Sequence, residues 1–261
     1  MTSPLTLAES GPIDGRPVLV LHGGGGPATV APIAEHFAAT TRTLLPTHPG
    51  WDGTARPEGL SSVAGLAAGY LRLLRDRRLS DVLVVGSSLG GWIGAELAAA
   101  DTEGLISGLV LMNAVGIEVA GEPVQDFFAL DARGVAEHAY HDSERFYVDP
   151  ATLPAERLAV LRANSAALRV FSGGPGMSDP ALRPRLAAVE APTLVLWGES
   201  DRIATPAYGK EYAASFGNAR FETVAEAGHL PHLEQPAPTF ALLDAFAAQT
   251  GGRSAPFQDL P

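Results

Sequence analysis

Three residues of the types that cooperate in nucleophilic catalysis occur along the chain in the order serine, acid, histidine. Ser88 is the centre of a Gly-x-Ser-x-Gly motif at residues 86–90, Asp201 follows a late apolar run, and His229 follows the next one. A histidine beside a serine takes the hydroxyl proton as the serine oxygen attacks a carbonyl carbon, and a carboxylate holds the imidazole in the required tautomer. The sequence therefore predicts nucleophilic catalysis if the fold brings these three turns together.

The Gly-x-Ser-x-Gly motif stands where the apolar run 82–85 gives way to good helix formers. A sharp turn from strand to helix holds the serine clear of the sheet, and glycines two residues before and after it remove collisions. The first turn of the helix then aims N–H groups at Ser88, so we expect the Leu89 amide to be an oxyanion donor. The alternative is that the glycines only make a tight turn and that Ser87 or Ser88 caps the helix.

The acid and the base each have a rival nearby. Glu199 lies two residues closer to the strand than Asp201, but the loop at Asp201 allows a longer reach toward a histidine. His232 lies three residues after His229, and a His-x-x-His pair can bind a metal ion. The longer reach favours Asp201 as the acid. Because the chain has no cysteine and only Glu234 stands nearby, we expect no metal, take His229 as the base and expect His232 to pack beside the site.

A glycine-rich turn at residues 22–28 follows the first apolar run and is compatible with two kinds of chemistry. It matches a relaxed dinucleotide-binding fingerprint, but residues 45–48, Leu-Pro-Thr-His, lack the acid expected at the end of the next strand. No Gly-Lys-Ser/Thr follows either, which argues against a phosphate loop. We therefore expect the Gly24 amide to complete an oxyanion hole opposite Leu89, and His22 to bind loop backbone.

Short apolar runs alternate with helical segments along most of the chain. The runs 18–21, 43–45, 82–85, 109–112 and 193–197 predict buried strands, and helices are expected near 30–40, 63–77, 90–100, 206–216 and 238–249. This alternation predicts an α/β fold with a mostly parallel sheet flanked by helices. The loops at the carboxyl ends of parallel strands gather at one edge, so distant turns can converge there. Between residues 113 and 192 helical and loop segments replace the expected strand, which predicts an insertion over the sheet.

Composition excludes several classes of protein. The chain has 261 residues, 46% of them hydrophobic and 18% charged, which suits one large globular domain. The absence of cysteine excludes a thiolate nucleophile and cysteine-bound zinc or iron–sulfur centres. A net charge of −11 disfavours nucleic acid, and no apolar run is long enough to span a membrane. We expect a cytoplasmic monomer or homodimer whose partner is a small-molecule substrate.

Five motifs in this order resemble those of the α/β-hydrolase superfamily. They are Leu21-His22-Gly23-Gly24, His48-Pro49-Gly50-Trp51, Gly86 to Gly91, Trp197 to Ile203 and Ala227 to Pro236. The resemblance runs from Val18 to Phe246 and implies an α/β-hydrolase fold with a helical cap inserted after the sixth strand. It places the core at residues 1–113 and 191–250, the cap at 114–190 and a flexible tail at 251–261. One departure is visible, because relatives usually carry an acid ahead of Pro-Gly where this chain has Thr47-His48.

The resemblance implies a cofactor-free serine hydrolase. Ser88 would attack an acyl carbonyl, the Gly24 and Leu89 amides would hold the oxyanion, and His229 with Asp201 would activate water to release the acyl group. We expect a small ester, thioester or lactone as substrate, with a carboxylesterase favoured. One alternative is a carbon–carbon bond hydrolase, although such enzymes often carry tryptophan where this chain has Leu230. A second is a lyase, cyclase or cofactor-free oxygenase on the same fold, and a third is a binding module that keeps the pocket.

Overall fold

A seven-stranded sheet lies at the centre of the computed structural model, which describes residues 5–174 and 176–251. The strands are β1 (Thr6–Ser10), β2 (Pro17–Leu21), β3 (Arg42–Thr47), β4 (Val82–Ser87), β5 (Ile106–Met112), β6 (Thr193–Gly198) and β7 (Ala219–Val224). They are arranged in the order β1-β3-β2-β4-β5-β6-β7. Among these seven strands only β1 is antiparallel to its neighbour, so the predicted mostly parallel α/β sheet is confirmed.

Helices cover both faces of this sheet. They are α1 (Ala31–Ala38), α2 (Val63–Asp76), α3 (Leu89–Ala100), α4 (Ala132–Ala139), α5 (Ser143–Phe146), α6 (Ala155–Phe171), α7 (Arg183–Leu186), α8 (Pro206–Ala214), α9 (Pro231–Glu234) and α10 (Pro236–Thr250). The five helices expected from the sequence are confirmed as α1, α2, α3, α8 and α10. None of the helices in the described ranges combines the length and the apolar character needed to cross a bilayer.

The central strands are buried on both faces because helices pack on each side. All six residues of β4 are buried. Side chains alternate between two clusters, so that Leu19 of β2 packs with the α2, α3 and α8 side, whereas Val20 packs with the α1 and α10 side. This double burial explains why these strands are continuous apolar runs in the sequence.

Strand β1 was not predicted. It pairs with β3 at the edge of the sheet, and only Leu7 of its five residues is even partly buried. An exposed edge strand needs no apolar run, and so its sequence lacked the signal that marked the other strands.

The insertion predicted between strands is present as a helical segment that connects β5 to β6. It contains α4, α5, α6 and α7, and apart from a bridge between Gly116 and Ser178 its described residues form no strand. We call residues 114–190 the inserted segment. It follows the fifth strand in chain order and not the sixth, as the resemblance implied, because only five strands precede residue 114 in the described part of the chain. Most of the expected tail, residues 252–261, lies outside the described residues.

Candidate active site

Ser88 lies between the end of β4 and the beginning of α3, in a strained backbone conformation. Its φ is 56° and its ψ is −119°, a region that non-glycine residues rarely adopt. A Cβ atom at Gly86 would lie 2.2 Å from the Gly90 carbonyl oxygen, and one at Gly90 would lie 2.1 Å from the Leu21 carbonyl oxygen. Both glycines are therefore needed for the turn to close against the neighbouring backbone.

The side chain of Ser88 is partly exposed and does not cap the helix that follows it. Its hydroxyl has no hydrogen-bond partner among the described residues, and the buried Ser87 hydroxyl has none either. Helix capping by either serine, the alternative suggested by the sequence, is thus not what the structure contains. The Ser88 hydroxyl is left available for chemistry.

Asp201 and His229 form a buried pair after β6 and β7. His229 Nδ1 lies 2.8 Å from Asp201 Oδ2, and the two side chains are 10% and 0% exposed. Asp201 Oδ1 accepts hydrogen bonds from the Ile203 and Ala204 amides, and Oδ2 also accepts one from Asn113 Nδ2 at 2.7 Å. The carboxylate therefore accepts hydrogen bonds from four donors. Because His229 Nδ1 donates to it, the lone pair of the neutral ring is on Nε2.

The rival acid Glu199 has a different environment. It is exposed, and its carboxylate accepts a hydrogen bond from Thr223 Oγ1 at 3.5 Å. Of the two carboxylates that the sequence offered on this loop, Asp201 is the one that contacts His229. The backbone turn at residues 201–204 holds the Asp201 carboxylate in this position, since the Ile203 and Ala204 amides donate to it.

A chain of contacts connects the serine to this pair at the carboxyl edge of the sheet. The Ser88 amide donates to the Met112 carbonyl oxygen at 2.9 Å, and Asn113, the next residue, donates to Asp201. The described residues contain no hydrogen bond between the Ser88 hydroxyl and His229. The loops after β4, β5, β6 and β7 therefore converge, while the serine and the imidazole are not directly bonded. Catalytic hydrogen bonds are often loose before substrate binds.

The glycine-rich loop after β2 borders Ser88. A Cβ atom at Gly23 would lie 3.0 Å from Ser88 Cβ and 3.5 Å from its Oγ. The amides of Gly24 and Leu89 have no acceptor among the described residues, and Leu89 is the first residue of α3. Unpaired N–H groups on the loop that borders Ser88 and at the first residue of α3 fit the requirements of an oxyanion hole.

Helix α6 of the inserted segment covers this glycine-rich loop. A Cβ atom at Gly24 would lie 2.7 Å from Leu168 Cδ2. The buried Asn164 side chain accepts from the Asp52 amide and donates to Asp52 Oδ1, both at 2.8 Å, and also donates to the Gly25 carbonyl oxygen. Contacts from a single helix therefore hold the loops after β2 and β3 together. Sequence reasoning did not identify Asn164, because an asparagine inside a helix carries no signal of its long-range partners.

The carboxyl end of α4 contacts the loops of both the acid and the base. The His229 amide donates to the Ala139 carbonyl oxygen at 2.6 Å, and the Arg202 amide donates to that of His138 at 3.0 Å. Glu234 adds a second connection, because its buried carboxylate accepts from the Gly228 and His141 amides. Glu234 thus joins the inserted segment to the histidine loop. The sequence had marked it only as a neighbour of a possible metal pair.

His232 contributes to packing beside the site. Its Nε2 donates to the Thr29 carbonyl oxygen at 2.7 Å, and burial lowers the pKa of the ring to about 4. Within the described residues no group of three or more histidine, aspartate or glutamate side chains is arranged to hold a metal ion. The His-x-x-His spacing therefore corresponds to two histidines with separate hydrogen-bond partners, His229 on Asp201 and His232 on Thr29.

Comparison with known proteins agrees with this architecture. The chain is 30% identical over 206 residues to a putative carbamate hydrolase, RutD, of Azorhizobium caulinodans, covering 74% of this chain and 76% of that protein. It is 29% identical over 261 residues to a putative non-heme bromoperoxidase, BpoC, of Mycobacterium tuberculosis, covering 90% and 95% of the two chains.

Solved structures with the same fold include two hydrolases. An esterase from Thermogutta terrifontis superimposes with a TM-score of 0.74 at 21% identity, covering 95% of this chain and 94% of its own. The enol-lactonase from Burkholderia xenovorans LB400 has a TM-score of 0.74 at 21% identity, with coverage of 94% and 96%. The family model described as "Alpha/beta hydrolase family" matches residues 18–242, and the chain belongs to this family.

Proposed function

We propose that this protein is a cofactor-free serine hydrolase that cleaves a small ester, thioester or lactone through an acyl-enzyme, with a carboxylesterase favoured. One observation carries the proposal. The buried Asp201–His229 hydrogen bond of 2.8 Å lies at the same sheet edge as Ser88, whose hydroxyl has no partner among the described residues and borders the glycine-rich loop. Hydrolysis of an acyl bond needs a nucleophile, a base that is held in one tautomer, and donors for the oxyanion.

In the proposed reaction the Ser88 oxygen attacks the acyl carbon while its proton moves to His229 Nε2. The Gly24 and Leu89 amides stabilise the negative charge on the carbonyl oxygen of the tetrahedral intermediate. His229 then gives the proton to the leaving group, which departs and leaves an ester bond to Ser88. Water enters, loses a proton to His229, and releases the acid product and the free serine. Asp201 stays ionised and stabilises the imidazolium.

We assign residues 1–113 and 191–250 to the core and 114–190 to a cap that selects the substrate. Support comes from α6, which covers the glycine-rich loop, and from α4, which contacts the loops of the acid and the base. Two arginines of the cap are engaged with aromatic rings. Arg169 Cζ lies 4.2 Å from the ring centroid of Phe128, and Arg145 Cζ lies 5.2 Å from that of Phe146.

A carbon–carbon bond hydrolase is the second candidate. A 2-hydroxy-6-oxo-6-phenylhexa-2,4-dienoate hydrolase of Comamonas testosteroni is 26% identical to this chain over 247 residues. That class of substrate is a conjugated diketone acid, so its turnover is distinguished from ester hydrolysis by the product formed. A panel with esters, thioesters, lactones and one such diketone acid separates the two candidates.

The test combines covalent labelling with turnover. A fluorophosphonate probe is expected to label the wild type and not Ser88→Ala, and short p-nitrophenyl esters are expected to lose turnover in the same variant. Ser87→Ala is the matched control, because its hydroxyl is buried and has no partner. Labelling that persists in Ser88→Ala would remove this serine from the mechanism. Labelling of Ser88 without turnover of any ester, thioester or lactone would overturn the proposed substrate class, and the absence of diketone acid turnover as well would favour a non-hydrolytic enzyme.

A further inference from the structure

Three buried polar residues that the proposed reaction does not use form a continuous chain behind the glycine-rich loop. They are His22, His48 and Tyr70, each 0% exposed. The Tyr70 hydroxyl lies 2.5 Å from His48 Nδ1, and His48 Nε2 lies 2.9 Å from the His22 carbonyl oxygen. The His48 amide donates to His22 Nε2 at 3.0 Å, and His22 Nδ1 lies 2.7 Å from the Gly23 carbonyl oxygen. The two imidazole rings are stacked with their centroids 3.7 Å apart.

The partners determine where each proton lies. His22 Nε2 accepts from a backbone N–H, so Nδ1 carries the ring proton and donates to the Gly23 carbonyl oxygen. His48 Nε2 faces a carbonyl oxygen and must donate, so its Nδ1 accepts from the Tyr70 hydroxyl. Donation therefore runs in one direction from Tyr70 through His48 to the backbone of residue 22.

Burial keeps all three groups neutral. It lowers the pKa of His22 to about 4 and that of His48 well below its usual range. It also raises the pKa of the Tyr70 hydroxyl far above its usual value. A neutral chain with one arrangement of protons keeps the same geometry across the pH range in which the enzyme works.

The His22 ring, which stacks on His48 and accepts from the His48 amide, fixes one peptide plane. The Gly23 carbonyl oxygen accepts from His22 Nδ1 and from the Gly26 amide at 3.3 Å. In a trans peptide the carbonyl and the following N–H point in opposite directions, and the described residues contain no cis peptide bond. The Gly24 N–H is therefore aimed away from His22. The neighbouring Gly24 carbonyl is held separately by Trp51 Nε1 at 2.9 Å. Glycine backbone is permissive, so its orientation has to be imposed from outside.

We propose that Tyr70, His48 and His22 are positioning residues that aim the Gly24 amide at the oxyanion. This inference rests on the proposed function, because it concerns the donor that would stabilise the tetrahedral intermediate. Loss of one oxyanion donor lowers kcat by about 10²- to 10³-fold, so misaiming a donor produces a part of that loss. The effect falls on the transition state and leaves substrate binding almost unchanged.

The test compares two tyrosine variants. Tyr70→Phe removes the donor to His48, and Tyr208→Phe removes an equally buried hydroxyl that donates to the Ile117 carbonyl oxygen. We expect Tyr70→Phe to lower kcat about tenfold and to change KM by less than about twofold. Tyr208→Phe should lose about as much thermal stability as Tyr70→Phe but keep the wild-type kcat. A trifluoromethyl ketone, which forms a tetrahedral adduct, is expected to bind Tyr70→Phe about tenfold more weakly. Equal kcat in the two variants would overturn the inference.

Variants of His22 supply a second comparison. His22→Asn keeps an N–H donor near the position of Nδ1, whereas His22→Leu keeps none. We expect His22→Asn to retain more kcat than His22→Leu at matched thermal stability. The opposite order would contradict a role in aiming the Gly24 amide.

Nitrogen-15 NMR of the wild-type protein tests the proton arrangement without any substrate. We expect the Nδ1–H tautomer for His22 and the Nε2–H tautomer for His48, unchanged between pH 6 and 9. Opposite tautomers would overturn the inference. If Ser88→Ala keeps full turnover, the proposed function fails; if Ser88→Ala is inactive and Tyr70→Phe is unaffected, only this inference fails.

Discussion

Replacement of Asp201 by asparagine places a hydrogen-bond donor where the structure needs an acceptor. Oδ1 receives the Ile203 and Ala204 amides, so the carbonyl oxygen of the new amide stays on that side. Its NH₂ group then takes the place of Oδ2. There it faces His229 Nδ1, at 2.8 Å in the wild type, and Asn113 Nδ2, at 2.7 Å.

The consequence is a change of tautomer at His229. To avoid two facing donors, the ring moves its proton to Nε2, and the nitrogen that should accept the Ser88 proton loses its lone pair. The wrong tautomer lowers kcat by about 10⁴-fold. At 1.36 kcal/mol for each tenfold this corresponds to about 5 kcal/mol of lost transition-state stabilisation. Because the Asp201 side chain is fully buried and so is not accessible to substrate, we expect KM to change by less than about threefold.

Initial rates on the best p-nitrophenyl ester measure this effect, with a thermal melt to show that the variant is folded. Glu199→Gln is the matched control, because that carboxylate is exposed and its rate should stay within about twofold of the wild type. If Asp201→Asn retained more than a tenth of wild-type kcat, or if Glu199→Gln fell as far, the assignment of the acid would be refuted.

Three further predictions concern stability and the histidine loop. Gly90→Ala should abolish the soluble folded protein, since its Cβ atom would lie 2.1 Å from a backbone oxygen. Gly69→Ala in α2 is the control, because open space surrounds that position, and it should raise the free energy of unfolding by about 0.5–1 kcal/mol in a denaturant titration. Glu234→Gln should lower stability by about 1–3 kcal/mol and reduce kcat, because an amide NH₂ would face a backbone N–H. An unchanged kcat would show that the histidine loop keeps its position without this carboxylate. Burial lowers the pKa of His22 and of His232 to about 4. Below pH 6.5 the unfolded chain therefore binds more protons than the folded chain, so the free energy of unfolding should fall between pH 6.5 and pH 4 by up to about 3 kcal/mol for each ring. Urea titrations at several pH values measure this slope, and a slope that does not decrease in His232→Gln would contradict the attribution.

The sequence was informative wherever the physical signal is local. Residues 82–90 alone predict a buried strand, a sharp turn and a helix, because glycines two residues on either side of Ser88 are a requirement of that backbone geometry. The same holds for the apolar runs that became β2, β4, β5 and β6, since strands buried on both faces need apolar side chains at every position. The exposed edge strand β1 carried no such signal.

Only the tertiary structure decided which distant side chains meet. The reach of the loop favoured Asp201 over Glu199 in the sequence, but the contact with His229 depends on the turn that binds the Asp201 carboxylate through backbone amides. The partnership of His48 with Tyr70 and the bond from Glu234 to the histidine loop likewise join segments whose approach is set by packing. Local patterns arise from backbone geometry within a few residues, whereas these contacts depend on how separate loops are held at one edge of the sheet.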